Sequence, residues 1–256
     1  MTLQKFMKTL AVVTPLLLPT AAGAMHPLIT DDASTLGQDK YQLEVNGQYD
    51  HDDEGPVEST TKQMAAGLSY GATDTIDLVA GIPYLWAKER ETGAVVSNEN
   101  GASDASLDVK WRFFEKDGLS LAMKPGLVLP TGNEDKGLGA GKVGYRFYAI
   151  ASKEVNPWSI HANLGYIRNE NDGEDRVNFW HASLAGTYLL RQDLTLVGNI
   201  HVDRNADPSS DNNPAYLLGG LVYSLAESLD IDCGYKHSLT SDGPDWSLLA
   251  GMTFHF

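Results

Sequence analysis

Residues Trp246–Phe256 read WSLLAGMTFHF, and their alternation decides the fold. Trp246, Leu248, Ala250, Met252, Phe254 and Phe256 fall on one face of an extended chain. Ser247, Leu249, Gly251, Thr253 and His255 fall on the other. A period of two with one apolar face predicts a half-buried strand. One such strand would fit a soluble sandwich or a membrane barrel equally well, so repetition has to choose between them.

The pattern repeats back to residue 40. Lys40–Asp50, KYQLEVNGQYD, sets Tyr41, Leu43, Val45 and Tyr49 against Gln42, Glu44, Asn46 and Gln48. Twelve segments of this kind are predicted at 40–50, 61–72, 75–87, 103–114, 119–130, 142–153, 158–169, 177–190, 194–204, 214–226, 229–238 and 246–256. About ten residues is what a tilted strand needs to cross a bilayer. Short connections at 72–74, 115–118, 154–157, 191–193 and 227–228 alternate with long polar ones at 51–60, 88–102, 131–141, 170–176, 205–213 and 239–245. Short turns on one side and long loops on the other mark an outer-membrane barrel. The expected fold is therefore all-β: a transmembrane antiparallel up-and-down β-barrel of about 12 strands over 39–256, in a Gram-negative outer membrane. An even strand number puts both barrel ends on the periplasmic side.

The outward faces suit lipid. One strand offers Ile76, Leu78, Ala80, Ile82, Tyr84 and Trp86, and another Leu194, Leu196, Gly198, Ile200 and Val202. Tyr41, Tyr49, Trp86, Trp158, Tyr166, Tyr188 and Trp246 fall near strand ends, where aromatic girdles belong. Cys233 falls on the lipid side as a small apolar filler, and a lone cysteine excludes an internal disulfide.

Ahead of the barrel, Lys5 and Lys8, an apolar stretch Thr9–Leu18 broken by Pro15, and Ala22-Gly23-Ala24 predict a signal peptide over 1–24. The mature chain would begin at Met25. Residues 25–38 would be a loose periplasmic tail or a segment folded into the lumen. The net charge of −15 excludes nucleic acid as a partner, because phosphates need a basic face. The acids in the long loops, Asp52, Asp53, Glu54, Glu58, Asp172 and Glu174 among them, keep those loops soluble or bind divalent ions that bridge to lipopolysaccharide.

The inward face is polar and mixed in sign. Glu44, Asp77, Asp108, Asp230 and Asp232 oppose Lys110, Arg112, Lys124, Lys142, Arg146 and Lys236, with His161 and His201 as neutral groups. These are the expected pore-lining residues. Such a lumen either cross-links itself by ion pairs or sets a transverse field across a narrow pore. Twelve strands leave room for a narrow channel or a ligand-sized cavity.

No motif argues for chemistry. Gly139–Gly144 matches GxGxxG but lacks the strand-to-helix setting a dinucleotide needs. His161 and His201 lie on non-adjacent strands, with no carboxylate at ligand spacing, so no metal and no cofactor are expected. His181 and Ser183 share a strand face, and a catalytic serine needs an adjacent base oriented by a third group, but no local motif of the barrel phospholipases or proteases surrounds them. The chain is not expected to be an enzyme.

Two longer stretches carry a family resemblance. HPLITDDASTLG at 26–37 followed by KYQLEVNG at 40–47 resembles the opening of the outer-membrane transporter family labelled the phenol-degradation meta-pathway family. SDASLDVKWRFF at 103–114 and LVLPTGNEDKGLG at 127–139 resemble its central hairpin. The resemblance implies a monomeric barrel acting as a channel or transporter for passive uptake of small organic solutes, aromatic ones included. Its alternatives are a plugged structural or surface-interaction barrel without conductance, and a barrel enzyme. The aromatic final strand resembles the closing strand of outer-membrane barrels, which implies recognition of Phe256 by the barrel assembly machinery. Pro83, Pro125 and Pro130 are candidate breaks in the ladder where a lateral opening could form.

Overall fold

A computed structural model describes residues 26–171 and 175–256. The predicted signal peptide and Met25 lie outside these residues, as do Asp172 and Glu174. Thirteen strands follow: β1 Tyr41–Glu54, β2 Val57–Thr73, β3 Ile76–Glu91, β4 Ala94–Ala102, β5 Ala105–Lys116, β6 Leu119–Leu129, β7 Gly144–Val155, β8 Trp158–Arg168, β9 Asn178–Arg191, β10 Leu194–Asp203, β11 Ala215–Ala226, β12 Leu229–Ser238 and β13 Trp246–His255. All pairings are antiparallel between sequence neighbours, except that β3 also pairs β5 and β1 pairs β13. The β1–β13 ladder, from Gln42↔His255 to His51↔Trp246, closes a ring of twelve strands that leaves β4 out. Closure removes the sheet edge, so backbone groups find partners inside the bilayer.

Every short connection is two residues long on the periplasmic side, as at Asp117-Gly118, where both φ angles are positive (51° and 73°). Positive φ at both centres matches the right-handed twist of the flanking strands. The outer side departs from expectation. Residues 88–102 are not a loop: β3 runs on to Glu91 and turns at Thr92-Gly93, and β4 returns beside its outer half. The same two-residue turn chemistry operates here, hidden by the polarity of the surrounding residues, which stand clear of lipid. Likewise β1 and β2 stay paired up to Glu54↔Val57 across Gly55-Pro56, so most of 51–60 is strand.

The prolines find local explanations. Pro83 sits where β3 changes partner, between the last β5 pair, Gly81↔Ser106, and the first β4 pair, Tyr84↔Ala102. Its carbonyl still accepts from Ser103 N–H at 2.9 Å. Pro130 follows the end of β6. Pro125 is different: the β5–β6 ladder jumps from Asp108↔Gly126 to Trp111↔Met123, as expected where a donor is missing.

Side chains alternate as the sequence predicts. Leu78, Ile82, Leu107, Leu164, Ile200 and Leu248 are exposed on the outer wall, Leu164 to 66%. An apolar band of this extent is stable only against lipid. Aromatic belts flank it. Tyr41 stacks on Tyr70 and Trp158 packs on Tyr188 near the periplasmic rim, while Tyr84 packs on Trp86 and Tyr49 on Trp246 near the outer rim. Cys233 is exposed on this outer wall.

Candidate functional site: the lumen and its outer pocket

Residues 26–33 run inside the barrel and are buried, and residues 34–38 lead out to the periplasmic rim, where Thr35 and Gln38 bond Asp74. Their backbone hydrogen bonds go to the wall, because a segment without its own ladder must find partners elsewhere. Ile29 and Thr30 N–H both donate to Asn199 Oδ1, at 2.8 and 3.0 Å. Ala33 N–H donates to Ser152 Oγ (2.8 Å), and Leu36 N–H to the Asp77 carboxylate (3.1 Å). Asn163, with its amide turned to match, donates to the Asp31 carbonyl and accepts from Asp31 N–H, both at 2.8 Å. Leu28 and Ile29 pack on Ala185, Val197, Leu218 and Leu249, apolar residues set into an otherwise polar face. Room for the segment comes from inward glycines. A Cβ on Gly220 or Gly234 would come within 2.7–2.8 Å of the Pro27 ring.

Charge fixes the segment at its centre. Asp31 lies 3.1 Å from Lys110 Nζ and 2.9 Å from Lys124 Nζ, and Asp32 lies 3.5 Å from Lys110. At its front, His26 Nδ1 meets Asp232 at 2.5 Å. Asp108 on β5 and Arg146 on β7 pair bidentately across Gly126 of the intervening β6. Glu44 is buried and accepts from Gln42 and Asn46 side-chain amides. Most of the expected pore-lining charges therefore hold the segment or each other.

Three expected residues lie away from the middle of the lumen. Arg112 sits at the periplasmic rim, bound to Glu115 (2.7 Å) and to the Asp74 carbonyl (2.9 Å). Asp230 pairs with His255 (2.9 Å) near the same rim. Lys142 is a correction: it is exposed on the outer loop and does not line the lumen. Gly141 turns the chain with φ +70° and β7 starts only at Gly144, so the alternation that placed Lys142 inward was carried two residues too far.

Above the segment lies a pocket of about 160 Å³. Leu85, Tyr148, Ile167, Phe179, Ala206 and Tyr216 make its apolar wall. Gln48, Gln63, Asp50, Asp203, Asp242 and Lys236 make its polar side. Lys236 is buried, 3.8 Å from Asp50 and 4.9 Å over the Tyr216 ring. The pocket shares Asp50, Thr61, Asn205, Asp242, Gly243 and Pro244 with the acidic outer mouth, where Asp52, Glu54, Glu89, Glu99 and Asp207 outnumber Lys88 and Lys136.

Beside it, the His181 and Ser183 pair gains a third member. His181 Nε2 is 2.9 Å from Ser183 Oγ, and its Nδ1 is 2.7 Å from Asp203. The order of contacts is that of a catalytic triad. An oxyanion site is not apparent beside it: the strand N–H groups belong to ladders, and the neighbouring Asn163 amide is committed to Asp31. Among the described residues no group of three or more His, Cys, Asp or Glu side chains is arranged to hold a metal ion.

The sequence profile of the family described as "Putative MetA-pathway of phenol degradation" matches residues 29–256. The chain belongs to this family. No curated protein matches it in sequence. Among solved structures, it is similar to an outer-membrane channel from Pseudomonas putida F1, described as COG4313, with 17% identity and a TM-score of 0.71 over 88% of this chain and 98% of that one. The KdgM porin follows at 9% identity and a TM-score of 0.56, over 84% and 99% of the two chains. The β domain of the Bordetella autotransporter BrkA gives 13% and 0.53 over 85% and 98%. At these identities the shared property is the fold, and the family's barrel belongs in the bacterial outer membrane.

Sequence reasoning missed Asp31 and the aromatic wall of the pocket. A signal was present. Tyr148 follows Arg146 on the inward face of β7, and Phe179 precedes His181 on that of β9. Large apolar residues inside a polar lumen point to a lined cavity.

Proposed function

We propose that the barrel is a narrow conduit for passive passage of small organic solutes, aromatic ones among them, with residues 26–36 as its constriction. The observation that carries this reading is the apolar pocket continuous with an acidic outer mouth, in a barrel whose middle holds a lumenal segment. Solutes would partition from the mouth into the pocket. Onward movement would require the segment to shift or solutes to pass beside it. A small barrel with a polar lumen is suited to diffusion, and the reading needs no chemistry on the solute. The COG4313 relative is named as a channel and the KdgM relative as a porin, and both support the reading at the level of fold.

A second reading is favoured by the completeness of the plug's hydrogen bonds. A plugged barrel would conduct nothing and act through its loops. Single-channel recording in a planar bilayer separates the two, using wild type beside Asp50→Asn plus Asp242→Asn. Steady conductance with a cation preference that weakens in the variant supports the conduit. Silence at every voltage, in wild type and in a variant that frees Asp31's anchors, favours the plugged barrel.

A further inference from the structure

The pocket above the plug has a size and a pattern of unmet hydrogen-bonding capacity that together define a ligand. An apolar cavity of about 150 Å³ is large enough to hold benzene. The pocket measures about 160 Å³, so it admits one six-membered ring and little more. Tyr148, Phe179 and Tyr216 offer ring faces and edges for it, and Leu85 and Ile167 complete the apolar contact. Aromatic pairs gain from offset or edge-on packing beyond the area they bury.

The polar side is incompletely satisfied. The ammonium of Lys236 is buried, yet its carboxylate neighbour Asp50 is 3.8 Å away, beyond hydrogen-bond distance. Asp50 is itself engaged by Ser247 Oγ and by Gln48 Nε2 at 2.7 Å. Asp203 uses Oδ1 for His181, while its Oδ2 is buried without a hydrogen-bond partner. One inward position nearer the periplasm, His201 is 1% exposed and stacks on Tyr216 at 4.9 Å; neither ring nitrogen has a hydrogen-bond partner, and its Nε2 stands 3.9 Å from Asp203 Oδ2, beyond hydrogen-bond distance. Native proteins rarely leave so many buried polar atoms unpaired in one place.

We propose that this pocket is a binding site for an uncharged ring alcohol, whose hydroxyl oxygen accepts from Lys236 and whose hydroxyl proton is donated toward Asp203, with His201 as the adjoining polar floor. A hydroxyl is donor and acceptor at once, so it meets both needs and adds no charge. A bare hydrocarbon ring fills the same space and leaves both unmet. A ring carboxylate satisfies Lys236 but faces Asp50, Asp203 and Asp242, and it must first cross the acidic mouth. Arg204, the other cation on the lining, already donates to Asn213 at 3.2 Å. The site thus selects on the head group as well as on the ring. The inference deepens the conduit reading by naming its solute class, but binding is measurable without transport.

Benzyl alcohol, toluene and benzoate share a ring and differ in the head. Binding of each to the refolded full barrel is measured by saturation-transfer NMR with competition titrations. Benzyl alcohol is expected to bind at least about tenfold more tightly than toluene or benzoate, the scale of one buried polar group left unpaired. Lys236→Met, checked for folding by its heat-shifted gel mobility, should bring benzyl alcohol down to the level of toluene. Benzoate binding as well as the alcohol, equal affinity for alcohol and toluene, or no binding of any of the three overturns the assignment. Unchanged preference in a folded Lys236→Met also overturns it. If that variant fails to fold, the wild-type series decides alone. Conductance without selective binding removes the site and leaves the conduit standing; selective binding without conductance does the reverse.

Discussion

Asp31 reaches across the lumen from a segment outside the barrel's sheet to within 2.9 Å of Lys124 Nζ, and the same carboxylate meets Lys110 at 3.1 Å. All three side chains are buried. Removing one partner of a buried ion pair costs on the order of 3–5 kcal/mol, because the remaining charge is left uncompensated. Here the loss falls chiefly on Lys124, because Lys110 keeps Asp32 at 3.5 Å.

Asp31→Ala is therefore expected to loosen the plug rather than the barrel, whose ladders do not use Asp31. Single-channel conductance should rise and become noisier than in wild type. Heat-shifted gel mobility should still report a closed barrel. Asp31→Asn, which keeps the shape and some hydrogen bonding, should fall between the two. Equal conductance in all three proteins would show that the segment does not limit flow.

Packing gives an independent handle on the same segment. Gly234→Val would place side-chain atoms where Pro27 lies, since even a Cβ there comes within 2.8 Å of the Pro27 ring. The front of the plug should then leave its groove. Proteolysis after refolding should cut near residues 26–38 in the variant and spare wild type. Protection of both proteins would refute the fit.

Arg146→Ala tests the wall rather than the plug. It strands Asp108, which is buried and held bidentately. The loss is expected to be about 3–5 kcal/mol, seen as a lower temperature for loss of the heat-shifted band. Arg146→Ala with Asp108→Ala removes both charges and should recover part of the loss. A double variant as unstable as the single one would mean that Arg146 acts by packing alone.

Phe256 exchanges two backbone hydrogen bonds with Tyr41, at 2.9 and 3.1 Å, at the seam where the ring closes. The residue is 72% exposed, so packing against the rest of the chain gives it little reason to be aromatic. Phe256→Ala should leave the refolded barrel nearly as stable in detergent while lowering the amount assembled in cells. Equal cellular yield would argue against a recognition role for the terminal ring.

The strand count, the inward and outward sets and the turn side were legible because a lipid-facing wall enforces a strict period of two over twelve strands. What alternation could not carry was anything decided across the lumen. Asp31 sits in a stretch with no period, flanked by Pro27 and Asp32, so its residues look like a tail. Its partners Lys110 and Lys124 stand at inward positions of the alternation, but no local signal says what faces them. Asp203 became the third member of the His181 and Ser183 chain only through β9–β10 register, which aligns it with His181. Lys142 and the β3–β4 extension fail for the converse reason. Beyond the bilayer both faces of a strand are wet, and polarity stops reporting direction.

The plug has a mechanical side as well. Its attachments fall on β3 through Asp77, β5 through Lys110, β6 through Lys124, β7 through Ser152, β8 through Asn163, β10 through Asn199 and β12 through Asp232. A hydrogen-bonded tube is stiff along its strands but easily ovalised across them. A hub tied by spokes to points spread around the rim resists that flattening. The segment that narrows the passage would then also keep the cross-section round, and any opening that withdrew it would leave a softer, more elliptical tube.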